Sequence, residues 1–471
     1  MSKLKEECGI FGIFGSDEAA VHTALGLHSL QHRGQEGAGI VSFDGESFFS
    51  VRKQGLVGDN FTSTETLSQL PGKTAIGHVR YSTTGESKTE NLQPLFANLA
   101  LGGFACAHNG NLTNTISLKK QLVKTGSIFQ TTSDTEIILQ LVARSKKKKL
   151  LDKLVDALSQ IKGAYSLIIL TNKKLIGIKD PYGIRPLVLG KKNGSPVLAS
   201  ETCALDMIGA EYIRDINNGE IVVITNDGIE SVEPFKKVNE RPCIFERIYF
   251  ASPDSVINGK TVYTYRKSLG EQLAVENNID ADVVVPIPDS GVSAAIGFSQ
   301  KSKIPFELGI IRSHYVGRTF IEPTQNIRQF GVKLKHSVNR SCIKNKKVIL
   351  IDDSIVRGTT ANKIVNMVFE AGAKEVHLGI SCPPIRFPDY YGIDTPNHHE
   401  LIASNNDILS MTKIVGATSL FFLSLSGTYK AMGYNHRDQL NPQFSDHCFT
   451  GEYPIEIEEI KNAKQKNDKR K

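Results

Sequence analysis

The chain has 471 residues, 40% of them hydrophobic and 22% charged, with a formal net charge of +7. That length suits about two globular domains. The polar start MSKLKEE excludes a secretory signal, and no run of about 18 apolar residues exists to span a bilayer, so a cytoplasmic protein with no membrane partner is expected. The seven cysteines include no C-x-x-C pair, which argues against a disulfide framework and a simple zinc ribbon. Much of the positive charge sits at residues 146–149 and in the terminal KNAKQKNDKRK. A solvated helix end and a frayed terminus explain both better than a nucleic-acid surface does.

From residue 8 to about 230 the chain reads as short strands around a few helices. GIFGIF (9–14), AGIVSF (38–43), TAIGHVR (74–80), LALGGFACAH (99–108), AYSLIILT (164–171) and EIVVIT (220–225) are β-rich runs bounded by turn residues. DEAAVHTALGLHSLQHRG places Val21, Ala24, Leu25 and His28 at helical spacing, with Gly34 as a stop. TTSDTEIILQLVARSKKKK predicts a helix opened by a capping box of Ser133 and Glu136 and closed by lysines. This is a sheet-rich α+β pattern.

From about 240 to 440 the rhythm changes. ADVVVPIP (281–288), KVILIDD (347–353) and EVHLGIS (375–381) are buried-strand runs, and the second leads into the helix ANKIVNMVFEAGA, with Gly372 near its end. Strand–loop–helix units predict a parallel sheet, with ligands at the carboxyl ends of its strands. The boundary between the two halves falls near VEPFKKVNERP, and there is no internal repeat.

VILIDDSIVRGTT (348–360) is the sharpest motif. An apolar strand ends in two carboxylates, and a short loop then opens a helix. Backbone N–H groups and hydroxyls there make an anion cradle, while the carboxylates suit ribose hydroxyls and a divalent cation. A tight turn with an N-cap explains one Asp and one Thr but not the whole cluster. No Walker loop is present. The motif resembles the phosphoribosyltransferase signature, whose members bind phosphoribosyl pyrophosphate (PRPP) through Mg²⁺. The resemblance implies that Ser354, Arg357, Gly358, Thr359 and Thr360 face the 5′-phosphate and that Asp352 and Asp353 face the ribose. PDSGVS (288–293) matches the pyrophosphate loop, with Ser290 near the metal alongside Asp352 and Asp353. HYVGRTFIEPTQNIRQFGVKLKHS (314–337) resembles a loop that closes over PRPP, with Lys335 as its phosphate-facing lysine.

CGIFGI (8–13), LQHRGQEGAGI (30–40), GHVRYSTTG (77–85), AHNGNLTN (107–114), TSDTE (132–136) and DPYGIRPL (180–187) complete the pattern. From Cys8 to about Pro454 the chain resembles the glutamine phosphoribosylpyrophosphate amidotransferase family. That implies an α+β Ntn-hydrolase (αββα) glutaminase domain followed by an α/β type I phosphoribosyltransferase domain. The expected divisions are a propeptide at 1–7, a glutaminase domain at 8–235, a phosphoribosyltransferase domain at 236–455 and a basic tail at 456–471. Cys8 is then the nucleophile. An N-terminal cysteine carries its own base, because a free α-amine titrates at about 7.7–8.0, so the Glu7–Cys8 bond is expected to be cut. Taken alone, Cys8 is a small buried hydrophobe at a strand start; the companion motifs reverse that.

By the same resemblance Arg80 and Asp134 bind glutamine, and Asn109 with the N–H of Gly110 forms the oxyanion hole. His32 and His108 pack or orient. Ammonia passes to PRPP, giving 5-phosphoribosylamine, pyrophosphate and glutamate at the start of purine synthesis. The implied partners are glutamine, PRPP, purine nucleotide inhibitors and further copies of the chain in a homotetramer, with no nucleic acid. Some members carry a [4Fe–4S] cluster on four cysteines. Here Cys243 and Cys448 stand at two of those positions, but Asp389 and Ser445 replace the others, so no cluster is expected. Ser252 replaces an arginine usual in the family. A sugar-phosphate amidotransferase would need an isomerase second half, and a DNA-binding regulator a basic helix-turn-helix; neither pattern is present.

Overall fold

The computed structural model describes residues 8–81, 89–313, 336–395, 397–458 and 460–461. Residues 1–7, Lys335 and nearly all of the expected PRPP loop lie outside them.

Two antiparallel sheets form the first half. One has seven strands, in the spatial order Glu211–Asp215, Val188–Lys192, Ser195–Ala199, Gly9–Phe14, Thr74–Arg80, Gly37–Phe43 and Phe48–Gln54. The other has six, in the order Gly228–Val232, Ile221–Thr225, Leu175–Lys179, Gly163–Thr171, Gly102–Leu112 and Leu95–Leu99. Side chains alternate across a strand, and here both faces are buried. Ile10, Ile76, Ala105, Ala107, Ile168 and Leu198 meet between the sheets. Phe11, Ile13 and Val79 pack outward under the helices Ala19–Ser29 and Thr202–Ile208. Phe104, Cys106 and Ile169 pack outward under Thr115–Lys124, Thr135–Arg144 and Leu150–Leu158. The result is an αββα stack, and double-sided burial explains why its strands are apolar almost throughout.

Three local expectations need correction. The first helix buries Ala20, Thr23, Ala24 and Leu27, leaving Val21 and Leu25 exposed. A helix of small residues presses flat on the sheet, so alanines and not the larger side chains mark its inner face. The segment 99–108 is not one strand, because the chain turns between Leu95–Leu99 and Gly102–Leu112. No capping box forms before Thr135–Arg144; Glu136 instead accepts from the N–H groups of Gln130 (2.9 Å) and Thr131 (2.7 Å).

The second half holds a four-stranded parallel sheet in the order Val283–Pro286, Lys347–Asp352, Glu375–Ile380, Ser419–Phe422. Val262–Glu276, Val292–Ser302, Thr359–Glu370 and Ile408–Val415 are among its helices. The strand cores Val283, Val284, Ile349, Leu350 and Leu378 are wholly buried in one cluster, as expected for parallel strands covered on both faces. None of the described helices is long and apolar enough to cross a membrane.

Candidate active sites

Cys8 precedes the central strand of the seven-stranded sheet. Gly9 pairs with Val79, so one step further the register sets Cys8 opposite Arg80. Alternation turns Cys8 with Ile10, and Arg80 with Ile76, into the space between the sheets. Asn109 shares that face with Ala105 and Ala107 from the opposite side. Three residues scattered over a hundred positions therefore converge because each lies on the inward face of a strand.

The Cys8 thiol lies 3.6 Å from the Tyr81 carbonyl. Burial pushes its pKa up to about 11; Arg80 and Arg33 pull it down and Asp134 pushes it up. Such a thiol stays protonated near neutral pH until a base acts on it. Asn109 is fully buried, and among the described residues neither Nδ2 nor Oδ1 has a hydrogen-bond partner. An orphaned buried amide is costly, so a donor without a partner among the described residues marks a candidate ligand site. Gly110 follows with φ +142°, and a Cβ there would stand 2.1 Å from the Ala164 oxygen; only glycine fits.

Asp134 accepts from the Leu112 N–H at 2.9 Å, on the same strand as Asn109. Burial works to raise its pKa, but His108 and the N–H groups of Leu112 and Thr135 outweigh it and hold the carboxyl below its usual range. His108 Nδ1 lies 3.6 Å from Asp134 and 3.2 Å from Thr135 Oγ1. His32 bridges Glu201 (2.8 Å) and the Ser29 carbonyl (3.0 Å). Both histidines hold neighbours in place.

The second constellation lies at the carboxyl ends of the parallel strands. Pro286 pairs with Ile351, and the loops beyond bring Ser290 Oγ to 3.4 Å from Asp352 Oδ1. Asp352 and Asp353 are buried, and Ser354 Oγ donates to Asp353 at 2.5 Å. Burial first, then Asp353 and Asp352, push the Cys382 thiol well above its ordinary pKa; both carboxylates therefore act on the neighbouring strand end. Gly358 caps the helix Thr359–Glu370 with φ +77°, and no side chain caps it. The N-terminus of a helix is where an anion site can form. Arg357 instead meets Glu400, at 3.2 and 3.0 Å.

Comparison with known proteins fits both constellations. A glutamine amidotransferase domain model matches residues 78–207, and a phosphoribosyl transferase domain model matches residues 268–399. Amidophosphoribosyltransferase from Rhizobium etli is 57% identical, the match covering 96% of this chain and 93% of that one. The Bacillus subtilis protein of the same name is 50% identical, covering 96% and 95%. This chain belongs to the amidophosphoribosyltransferase family. A solved B. subtilis glutamine PRPP amidotransferase, determined with ADP and GMP, superposes with a TM-score of 0.90 at 48% identity, covering 96% of this chain and 98% of that one.

For a member of the amidophosphoribosyltransferase family the donor set at Ser290, Asp352 and Asp353 is consistent: it is all oxygen, as Mg²⁺ prefers. The cluster positions are different. Asp389 accepts from the Tyr391 and Ile393 N–H groups (2.7 and 2.8 Å) and lies 2.7 Å from His447 Nε2. His447 Nδ1 meets Ser445 Oγ at 2.8 Å. Asp389, His447 and Cys448 offer donor atoms within 4.8 Å of one another, but Asp389 and His447 already spend theirs on each other and on Ser445 and the backbone. These residues do not fit a four-thiolate cluster.

Four charged residues went unremarked in the sequence: Arg33, Arg185, Glu201 and Glu246. Arg33 and Arg185 lie within quoted motifs and Glu201 and Glu246 outside them, and only burial reveals their meaning. Arg33 Nη1 and Nη2 reach Glu246 at 2.9 and 2.8 Å, and Nη1 reaches Glu201 at 2.5 Å. Arg185 donates to the Tyr391 carbonyl (3.0 and 2.8 Å) and approaches Glu246 at 3.4 Å. Ser252 donates its N–H to Glu201 at 2.8 Å.

Proposed function

We propose that Cys8, freed as an N-terminal residue, releases ammonia from glutamine for transfer to PRPP in the second half of the chain. The protein is an amidophosphoribosyltransferase-type enzyme of purine biosynthesis, and the proposal assigns its residues. Arg80 pairs the glutamine α-carboxylate with its planar fork, and Asp134 holds the α-ammonium. The thiolate attacks the side-chain amide carbon. Asn109 Nδ2 and the Gly110 N–H take the developing oxyanion, ammonia leaves, and water frees glutamate from the thioester. The amide of Asn109, buried with no partner among the described residues, carries this reading, since a preorganised donor is what such a transition state needs.

At the other site the helix N-terminus with Ser354, Gly358, Thr359 and Thr360 holds the 5′-phosphate, and Asp352 and Asp353 orient the ribose. These carboxylates and Ser290 would hold Mg²⁺, which when bound would supply positive charge against the pyrophosphate. Arg357 reaches phosphate only by exchanging Glu400 for it, and Lys335 serves the leaving group. Ammonia displaces pyrophosphate at C1, travelling between the sites without being protonated in solution. The domain division at 235/236, removal of residues 1–7, the absence of a cluster, a cytoplasmic homotetramer and purine nucleotide inhibition complete the proposal. The ADP- and GMP-bound relative supports the last point.

Cys8→Ala tests the assignment. It should abolish glutamine-dependent synthesis while ammonia-dependent synthesis persists; continued turnover on glutamine refutes it.

A further inference from the structure

Cys8 is held by more than its own strand. Arg33 Nε donates to the Cys8 carbonyl at 3.1 Å. The other end of the guanidinium is gripped by two carboxylates, Glu201 from the first half and Glu246 from the segment Glu246–Phe250 of the second. Arg33, Glu201 and Glu246 are all buried. A planar guanidinium has few ways to satisfy a bidentate carboxylate and a carbonyl together, so Glu246 fixes the plane in which Nε points at Cys8. Arg185, anchored on the Tyr391 carbonyl, also donates to Glu246 Oε1.

We propose that Glu246, supplied by the phosphoribosyltransferase half, is a positioning residue for the glutaminase nucleophile, acting through Arg33 on the Cys8 backbone. The inference rests on Cys8 being that nucleophile. The segment that carries Glu246 is also tied towards the second site: Arg266 donates to the carbonyls of Arg247 (3.2 Å) and Ala251 (2.7 Å). Arg266 lies in turn within the field of Asp353. One short stretch of backbone thus touches the supports of both constellations.

The test compares Glu246→Gln with the parent enzyme. A diazoketone analogue of glutamine is used to alkylate Cys8, with the modified residue identified by peptide mass, and synthesis is measured with glutamine and with ammonia. Labelling rate and glutamine-dependent kcat should fall about tenfold or more, since displacement of a reacting group by about 1 Å costs up to ~10²-fold. Ammonia-dependent synthesis should stay within about twofold of the parent. Glu246→Asp, with the charge but a shorter reach, should recover part of the loss. Arg33→Lys, which keeps charge but loses the fork, should show the same split and serves if Glu246→Gln does not fold. Unchanged labelling, or a parallel fall of both activities, overturns the inference. Absence of labelling at Cys8 in the parent enzyme overturns the nucleophile assignment instead.

Discussion

Asn109 shows most plainly how one residue can announce a site. Its amide has no partner among the described residues while being fully buried, a state that costs stability unless a ligand uses it. Asn109→Ala should lower the glutamine-dependent kcat by about 10²–10³-fold, as loss of one oxyanion donor does, with ammonia-dependent synthesis intact. It should not destabilise the fold, because no hydrogen bond within the described protein is lost. A parallel fall in both activities, or a lower unfolding midpoint without a lower kcat, contradicts the assignment. Sequence alone singled out Asn109, Gly110 and Asp134 as candidates through their motifs. It did not reveal that Asp134 is fastened to the same strand by the Leu112 N–H, because a contact across 22 residues depends on where the strand ends.

Among elements, the unit Lys347–Asp352 followed by Thr359–Glu370 is where pattern and structure agree best. A fully apolar strand cannot be solvated, and two carboxylates at its end have no structural reason to be adjacent. Asp352→Asn and Asp353→Asn should each abolish PRPP-dependent synthesis even with saturating free ammonia, while Cys8 alkylation by the glutamine analogue persists. Retained synthesis on ammonia in both variants removes these residues from the site. About half of the αββα strands were legible because glycine and turn residues bound their runs; Phe48–Gln54, Leu175–Lys179, Val188–Lys192, Ser195–Ala199, Glu211–Asp215 and Gly228–Val232 went unread. The inner face of Ala19–Ser29 was not, since alanine and glycine pack flat there while Val21 and Leu25 face solvent. The expected capping box failed for a related reason: Glu136 found better donors in the loop before it.

On the scale of the whole molecule, charge is buried within the first half as well as where the two halves meet. Glu201, Asp134 and Asp389 all have pKa values below their ordinary range, with burial opposing the shift and ionic or hydrogen-bond partners exceeding it. A carboxyl with a lowered folded pKa stabilises the protein above its unfolded value of about 4 and loses that contribution as pH falls through the folded value. Asp180, pushed up to about 6 by burial, works the other way, costing stability as pH rises from about 4 to 6. The urea midpoint should therefore fall steeply below about pH 4, and Glu201→Gln should flatten that fall. A midpoint constant from about pH 5 to 3 contradicts the ion-pair interpretation. None of this junction was visible in the sequence, where Arg33, Glu201 and Glu246 are ordinary charged residues; their meaning comes from being dry and mutually paired.

The proposed chemistry turns on an amine beside a sulfur. In an unbroken chain the nitrogen of Cys8 is an amide and cannot act as a base, while burial holds the thiol near a pKa of about 11. Mass spectrometry of the N-terminus, run on the same sample as the glutaminase assay, is the most direct test. The expected result is that active enzyme begins at Cys8 and that blocking the cleavage removes glutamine-dependent activity alone. Full glutamine-dependent activity from a chain still carrying Glu7 would contradict it.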